Sequence, residues 1–130
     1  MNDIERGKRR RPVFLNLYRV QMPVGALTSI MHRITGVLLV LGIPFGVYLL
    51  DRSLQGPQAY AQVTELFDNP AFRFAVLVSV WSLTHHLLAG IRHLLSDIDI
   101  GSQLPAARRS AWIVNLTGLA VALLAAGVLL

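Results

Sequence analysis

Two short stretches of this sequence place ionisable and hydroxyl side chains beside long apolar runs. One is SIMHRITG at residues 29–36, and the other is SLTHHLLAGIRHLLSDID at residues 82–99. An imidazole nitrogen can ligate a metal, a guanidinium can hold a carboxylate through two hydrogen bonds, and a hydroxyl can donate to a carbonyl. The side chains that could do this chemistry are Ser29, His32, Arg33, His85, His86 and His93.

Helical periodicity assigns these side chains to defined faces. The first stretch, read as an α-helix, forms one stripe of Ser29, His32, Arg33 and Gly36. The second stretch, extended by the helical turn before it, has a small and polar face made of Ser79, Ser82, His86, Gly90, His93 and Asp97. His85 falls on a different face, together with Trp81, Leu88 and Arg92. The two neighbouring histidines are therefore predicted to point in different directions.

His86 precedes Gly90 by one helical turn, and a glycine there would leave room for a flat macrocycle such as a porphyrin. If the helix ends near Leu95, His86 lies about 13 Å from that end at 1.5 Å per residue, which is near the middle of a bilayer. An intramembrane histidine can instead hydrogen-bond between helices, and an arginine near a helix end can snorkel to the headgroups. The residues alone leave these alternatives open, as they do the choice between His85 and His86.

Composition predicts the elements that carry these side chains. Apolar residues make up 54% of the chain and charged residues 15%. Uncharged runs of 17, 18 and 21 residues cover 34–50, 74–91 and 110–130, and roughly 20 residues are needed to cross a bilayer. We therefore predict an all-α membrane protein with three transmembrane helices, at approximately 24–50, 71–96 and 108–130. They would form a single membrane-anchor domain, 1–130, with a basic tail at 1–23.

The charge distribution predicts the orientation. The net charge is +5, and half of the 12 basic residues precede the first span, so the positive-inside rule places the N-terminus in the cytoplasm. The first apolar run is too long for the core of a cleaved signal peptide, and no A-x-A-like site follows it. Charge alone would permit nucleic-acid binding by the tail, but no aromatic residue or motif supports it, and we expect none.

Other local features predict packing and connections. Cysteine is absent, which excludes disulfides and any iron–sulfur cluster held by this chain. Pro44 should kink the first span. The first connection should contain a short amphipathic segment that ends at Asn69 and Pro70. The third span has a seam of small residues for close helix contact, namely Gly118, Ala122 and Ala125 or Ala126.

The two polar stretches together resemble the cytochrome b membrane-anchor subunit of succinate dehydrogenase, respiratory complex II. The resemblance rests on S-I-x-H-R-x-[ST]-G at 29–36, on H-x3-G-x-R-H at 86–93, and on the Arg-Pro segment RPVFLNLYRV at 11–20. It covers nearly the whole chain. Some relatives have Ser-Pro-His after Arg-Pro where this chain has Val13, Phe14 and Leu15, so no role of that serine and histidine is transferred.

The resemblance implies roles for the candidate side chains. The family's axial ligand of haem b corresponds to His86, which the helical stripe also favours over His85. The family's quinone-binding serine and arginine correspond to Ser29 and Arg33. The resemblance also implies that His32, Arg33 and His93 lie near the haem propionates, whose negative charge would neutralise a cation inside the membrane.

The resemblance further implies a subunit that passes electrons from an iron–sulfur subunit to ubiquinone, in the bacterial cytoplasmic (inner) membrane. A flavoprotein subunit would oxidise succinate, and a second membrane-anchor subunit would supply the other axial histidine, so this chain is half of a heterodimeric haem-binding helical bundle. The chain alone then has no complete active site. Two alternatives remain open: the anchor of a quinol:fumarate reductase, and a purely structural membrane anchor without haem.

Overall fold

The computed structural model describes residues 22–130. The basic run and the Arg-Pro segment precede these residues and lie outside the described part. The elements are α1 (Val24–Ser53), α2 (Pro57–Glu65), a 3₁₀ turn (Leu66–Asp68), α3 (Pro70–Asp97) and α4 (Leu104–Leu129). Residues 22–130 contain no strand, and α1, α3 and α4 are each long and apolar enough to cross a membrane. The predicted all-α membrane fold with three spans is therefore confirmed.

Helix α1 continues through Pro44 without interruption. Proline lacks the N–H that would bond one turn back, a defect that membrane helices tolerate when neighbouring groups recover the carbonyl. Two fully buried threonines of α1 bond to their own helix: the hydroxyls of Thr28 and Thr35 donate to the carbonyls of Val24 and Met31, each at 2.9 Å. Helix α1 therefore buries polar side chains without leaving their hydroxyls unpaired.

The connection between α1 and α3 contains the predicted short amphipathic segment, which is α2. This helix packs against α1, and its half-buried residues Ala59 and Val63 are one turn apart on one face. Asn69 ends the connection, because its side-chain oxygen accepts from the backbone N–H of Ala71 at 2.8 Å and caps α3. The predicted stop at Asn69 is confirmed.

Helix α4 begins at Leu104, four residues before the expected position near 108. Pro105 explains the earlier start, since proline is favoured in the first turn, where its missing N–H is not needed. The preceding turn reverses the chain through Asp99 and Gly101, whose φ angles are 59° and 74°. Arg108 and Arg109 therefore lie on α4 rather than in the connection before it.

Packing among the three long helices uses small and polar residues. The largest fully buried side chains among residues 22–130 are His85, Thr28, Thr35 and Ser82, whereas many leucine, isoleucine and valine side chains face outward. This arrangement is expected in lipid, where apolar side chains gain nothing from leaving the acyl chains and small residues allow helices to approach closely. The predicted seam is confirmed at Gly118, where a Cβ atom would lie 3.5 Å from the Cβ of His85.

Two arginines join α3 to α4 at opposite ends of the pair. Near the start of α3, Arg73 Nη1 donates to the carbonyl of Leu129, the last residue of α4, at 3.2 Å. Near the other end, Arg92 Nε donates to Ser110 Oγ at 3.0 Å and Nη2 to the carbonyl of Ala107 at 3.3 Å. These bonds hold α3 and α4 together at both ends of the pair.

Candidate functional site

Three of the predicted histidines come together where α1 packs against α3. The rings of His32 and His86 are stacked, with centroids 4.1 Å apart and planes inclined by 18°. The ring of His93 is tilted by 47° to that of His32, at a centroid distance of 5.2 Å. One imidazole from α1 therefore lies next to two imidazoles from α3.

The hydrogen bonds of His86 define the chemical state of its ring. Nδ1 lies 3.0 Å from the carbonyl oxygen of His32 and 3.4 Å from Thr35 Oγ1. A carbonyl oxygen only accepts hydrogen bonds, so we assign the proton to Nδ1 and the lone pair to Nε2. The half-buried His86 makes no hydrogen bond through Nε2 to any of residues 22–130. His86 therefore presents an unengaged nitrogen lone pair, as a metal ligand must.

Two glycines lie against the imidazoles of this cluster. A Cβ atom on Gly36 would lie 3.0 Å from Cε1 of His86, closer than ordinary van der Waals contact. A Cβ atom on Gly90 would lie 3.6 Å from Nε2 of His32, at ordinary van der Waals distance. Gly90 therefore faces the ring of His32, and the glycine that accommodates the ring of His86 is Gly36. The sequence-based expectation that Gly90 leaves room for a macrocycle stays a prediction.

His85 occupies a different environment, between α3 and α4. It is 2% exposed, and its Nε2 lies 3.0 Å from Asn115 Oδ1, which Thr28 Oγ1 also approaches at 3.2 Å. Nδ1 is buried without a partner among the described residues. The ring packs beside Trp81, with centroids 5.8 Å apart. His85 is therefore enclosed by protein and uses its one bonded nitrogen to join helices.

The sequence-based predictions do not include Asn115, which joins α1, α3 and α4 through one amide oxygen. A signal was present, because an amide 11 residues after the start of α4 lies well inside an apolar span. Polar side chains at such depth commonly bond between helices. The sequence pattern likewise places Arg92 only on the helix face of His85. The structure shows that its guanidinium donates to Ser110 and to the carbonyl of Ala107 on α4.

Ser29 and Arg33 lie one turn apart on α1, Ser29 half-buried and Arg33 exposed. No salt bridge or hydrogen bond joins either side chain to another of residues 22–130. In this part of the chain the two predicted quinone-site residues are thus available to a ligand or to another subunit. Arg33 carries a charge inside a span without a protein counter-ion from residues 22–130, which in a membrane calls for an anionic partner.

The donor set suits a macrocycle better than a bare metal ion. Residues 22–130 contain no group of three or more His, Cys, Asp or Glu side chains that could hold a metal, whereas a protein zinc site needs three or four ligands. A porphyrin brings its own equatorial nitrogens, so a haem iron needs only axial ligands from protein. The single unengaged nitrogen of His86 and the cation of Arg33 fit an anionic haem.

An apolar groove of the described residues lies between α1 and α3, on the side of Pro44. Its volume is about 730 Å³, and its lining consists mainly of leucine, valine and phenylalanine side chains, with Gly42, Gly46 and Ser79. Ser79 donates to the carbonyl of Ala75 at 2.8 Å and so bonds within its own helix. The lining includes no titratable side chain, and the groove therefore has no chemistry comparable to that of the histidine cluster.

Comparison with known proteins identifies similar chains. A family model described as "Succinate dehydrogenase/Fumarate reductase transmembrane subunit" matches residues 7–126. The succinate dehydrogenase cytochrome b556 subunit of Paracoccus denitrificans is 38% identical over 112 residues, which cover 85% of this chain and 84% of that protein. The subunit of the same name from Coxiella burnetii is 35% identical over 120 residues, covering 92% and 95%. The one from Rickettsia felis is 32% identical over 115 residues, covering 82% of each chain.

Proposed function

The chain belongs to the succinate dehydrogenase/fumarate reductase transmembrane subunit family, and we propose that it is the cytochrome b membrane anchor of a succinate:ubiquinone oxidoreductase. In this role it holds haem b, contributes to the ubiquinone site and helps to pass electrons from an iron–sulfur subunit to ubiquinone. The observation that carries the proposal is the state of His86, whose Nδ1 is engaged by α1 and whose Nε2 is not engaged by residues 22–130.

His86 is the proposed axial ligand of the haem iron. The carbonyl of His32 on α1 accepts a hydrogen bond from Nδ1–H of His86 and so leaves the lone pair on Nε2. A ligating histidine usually donates its other ring N–H to a carbonyl or carboxylate in this way. His85 is the poorer candidate, because its ring is buried against α4 and its Nε2 is already bonded to Asn115. When bound, haem b supplies a one-electron redox centre whose potential depends on its axial ligands and its burial.

Arg33, His32 and His93 are the proposed neighbours of the haem propionates. Arg33 can donate two parallel hydrogen bonds to a carboxylate and remains charged at any working pH. The ring of His32 stacks on that of His86, and the ring of His93 adjoins that of His32. A propionate beside Arg33 would offset the cost of placing a guanidinium within a span.

Ser29 and Arg33 are the proposed contribution of this chain to the ubiquinone site. A serine hydroxyl can donate to a quinone carbonyl, and that hydrogen bond strengthens as negative charge develops on the oxygen during reduction. Ser29 lies one turn before Arg33 on α1, and its hydroxyl makes no hydrogen bond within residues 22–130. The isoprenoid tail of the quinone can remain in lipid.

The proposed complex requires three further chains. A second membrane anchor would supply the other axial histidine, as the resemblance to the family implies. A cysteine-ligated iron–sulfur subunit and a flavoprotein subunit carry the succinate chemistry, for which this cysteine-free chain has no residues. We place the complex in the bacterial cytoplasmic (inner) membrane with the N-terminus in the cytoplasm, supported by the basic residues that precede α1.

A quinol:fumarate reductase anchor is the second candidate function, because the matching family description covers both enzymes. The proposed haem and quinone residues suit electron flow in either direction, since that direction depends on the potential of the quinone rather than on the side chains that hold it. Assays of both directions on the purified complex separate the two. Faster fumarate reduction by quinol than ubiquinone reduction by succinate would favour the second candidate.

The decisive experiment is a dithionite-reduced minus oxidised spectrum of the purified complex. We expect a b-type absorbance band at one haem per complex, together with succinate-dependent reduction of ubiquinone. A complex that reduces ubiquinone but has no b-type band would identify a structural anchor without haem and would contradict the proposed role of His86.

A further inference from the structure

The environment of the His86 ring is built almost entirely by one turn of α1. Thr35 is fully buried, and its Oγ1 lies 3.4 Å from His86 Nδ1. That hydroxyl also lies 2.9 Å from the carbonyl oxygen of Met31 and 3.0 Å from that of His32. It has one proton, which it donates to one of these carbonyls, so its lone pairs face the Nδ1–H group of His86.

Gly36 follows Thr35 and forms the wall against which the ring rests. A Cβ atom there would lie 3.0 Å from Cε1 and 3.4 Å from Nδ1 of His86. Cε1 is the ring atom between the two nitrogens, so pressure on it displaces both. The ring could not move far without losing its 3.0 Å bond to the carbonyl of His32.

We propose that Thr35 and Gly36 are positioning residues for the haem ligand: Gly36 lets the His86 ring lie against the α1 backbone, where Thr35 and the His32 carbonyl hold its Nδ1–H group. The inference rests on the proposed role of His86 as the axial ligand. It means that α1 orients an iron ligand carried by α3. Hydrogen bonding at Nδ1 makes Nε2 a stronger electron donor, so α1 also influences the potential of the haem.

The first test replaces Gly36 and uses a second glycine of α1 as its control. Gly36→Ala adds a methyl group that presses on the His86 ring. Gly46→Ala adds one where, apart from its own turn of α1, no atom of residues 22–130 lies within 4 Å. Both changes should favour the helix itself, because alanine is the better helix former. We expect Gly36→Ala to lower haem content per purified complex, through haem affinity weakened about tenfold or more, and Gly46→Ala to match the wild type.

The second test alters the hydroxyl of residue 35. Thr35→Val removes the acceptor near Nδ1 at nearly constant side-chain volume, and Thr35→Ser keeps the acceptor while removing a methyl group. We expect Thr35→Val to shift the haem midpoint potential to more positive values, because a weaker donor ligand stabilises the oxidised iron less, and Thr35→Ser to return the potential toward that of the wild type. A merely structural role of Thr35 would leave the potential unchanged in complexes that assemble normally.

The outcomes distinguish a failure of the proposed ligand, His86, from a failure of the proposed positioning role of Thr35 and Gly36. If His86→Ala retains full haem, the proposed ligand is wrong. If His86→Ala loses haem while Gly36→Ala and Thr35→Val keep wild-type haem content and potential, the ligand stands and the positioning role is refuted. If Gly36→Ala does not assemble with the other subunits, the potentials of Thr35→Val and Thr35→Ser decide the question by themselves.

Discussion

His85 and His86 are adjacent in sequence, yet they belong to different regions of the molecule. His85 is enclosed between α3 and α4, where its Nε2 meets Asn115 and its ring packs beside Trp81 and Gly118. His86 lies against α1 with Nδ1 bonded and Nε2 unengaged within residues 22–130. Successive residues of an α-helix are about 100° apart, so one step along α3 separates a side chain that joins helices from one that can bind a ligand.

Position along the helix axis does not separate the two histidines, because they are adjacent residues of α3. Both histidines sit at nearly the same depth on α3, and the more buried one is the less suited to bind iron. What differs is which ring nitrogen the neighbouring helix engages. A ligating nitrogen needs a free lone pair, and the other ring nitrogen usually bonds to protein. Within residues 22–130 the hydrogen bonds of His86 have this arrangement.

The largest expected effect is loss of haem on changing His86. His86→Ala should reduce haem content by about tenfold or more, because the iron loses a ligand that α1 holds in place. The measurement is the b-type band of the reduced minus oxidised spectrum per purified complex. His85→Ala is the matched control and should keep the band. Haem retained by His86→Ala and lost from His85→Ala would reverse our assignment of the two regions.

A second change tests whether α1, the helix that contacts His86, also contributes to quinone binding. Ser29→Ala should lower succinate-dependent ubiquinone reduction about tenfold or more, because a donor to the developing charge is removed. Succinate oxidation with an artificial acceptor should remain close to wild type, since the flavoprotein is untouched.

Ser79→Ala provides the serine control for that measurement, because Ser79 bonds only to the carbonyl of Ala75 among the described residues. It should leave both activities unchanged. Equal loss of the two activities in Ser29→Ala would show damage to the assembly and would remove the argument for a quinone contact.

The smallest expected effect concerns the α4 side. Asn115→Leu leaves Nε2–H of His85 buried without an acceptor and should cost about 1 kcal/mol, within the range measured for interhelical hydrogen bonds in membranes. Thermal dissociation of the complex should occur a few degrees lower, with an unchanged haem spectrum. A large change of the haem potential in Asn115→Leu would mean that the two regions are coupled, contrary to the comparison.

A double-mutant cycle sharpens that result. If His85 and Asn115 stabilise the fold through their mutual bond, the losses from His85→Ala and Asn115→Leu should not add in the double variant. Additive losses would indicate that each residue stabilises the protein through other contacts.

Much of the fold follows from sequence pattern, because composition and run length limit what a chain can do in lipid. The uncharged runs predict α1, α3 and α4, and the turn chemistry of Asn69 and Pro70 predicts where α3 begins. The helical period predicts that His32 and Gly36 share a stripe and that His85 and His86 point in different directions. Motif resemblance supplied the proposed roles of Ser29, Arg33 and His93, which the helical period alone does not give.

The sequence by itself determined three spans, their polar faces and the direction of each side chain relative to its own helix axis, because backbone geometry fixes these quantities locally. Tertiary structure decided which helix each face meets and in what register. Only packing placed Gly36 under the His86 ring, placed the ring of His32 beside Gly90, and brought Asn115 to His85. Contacts between helices depend on rotations and offsets that no single segment specifies, and these are set by the fit of small residues across the whole bundle.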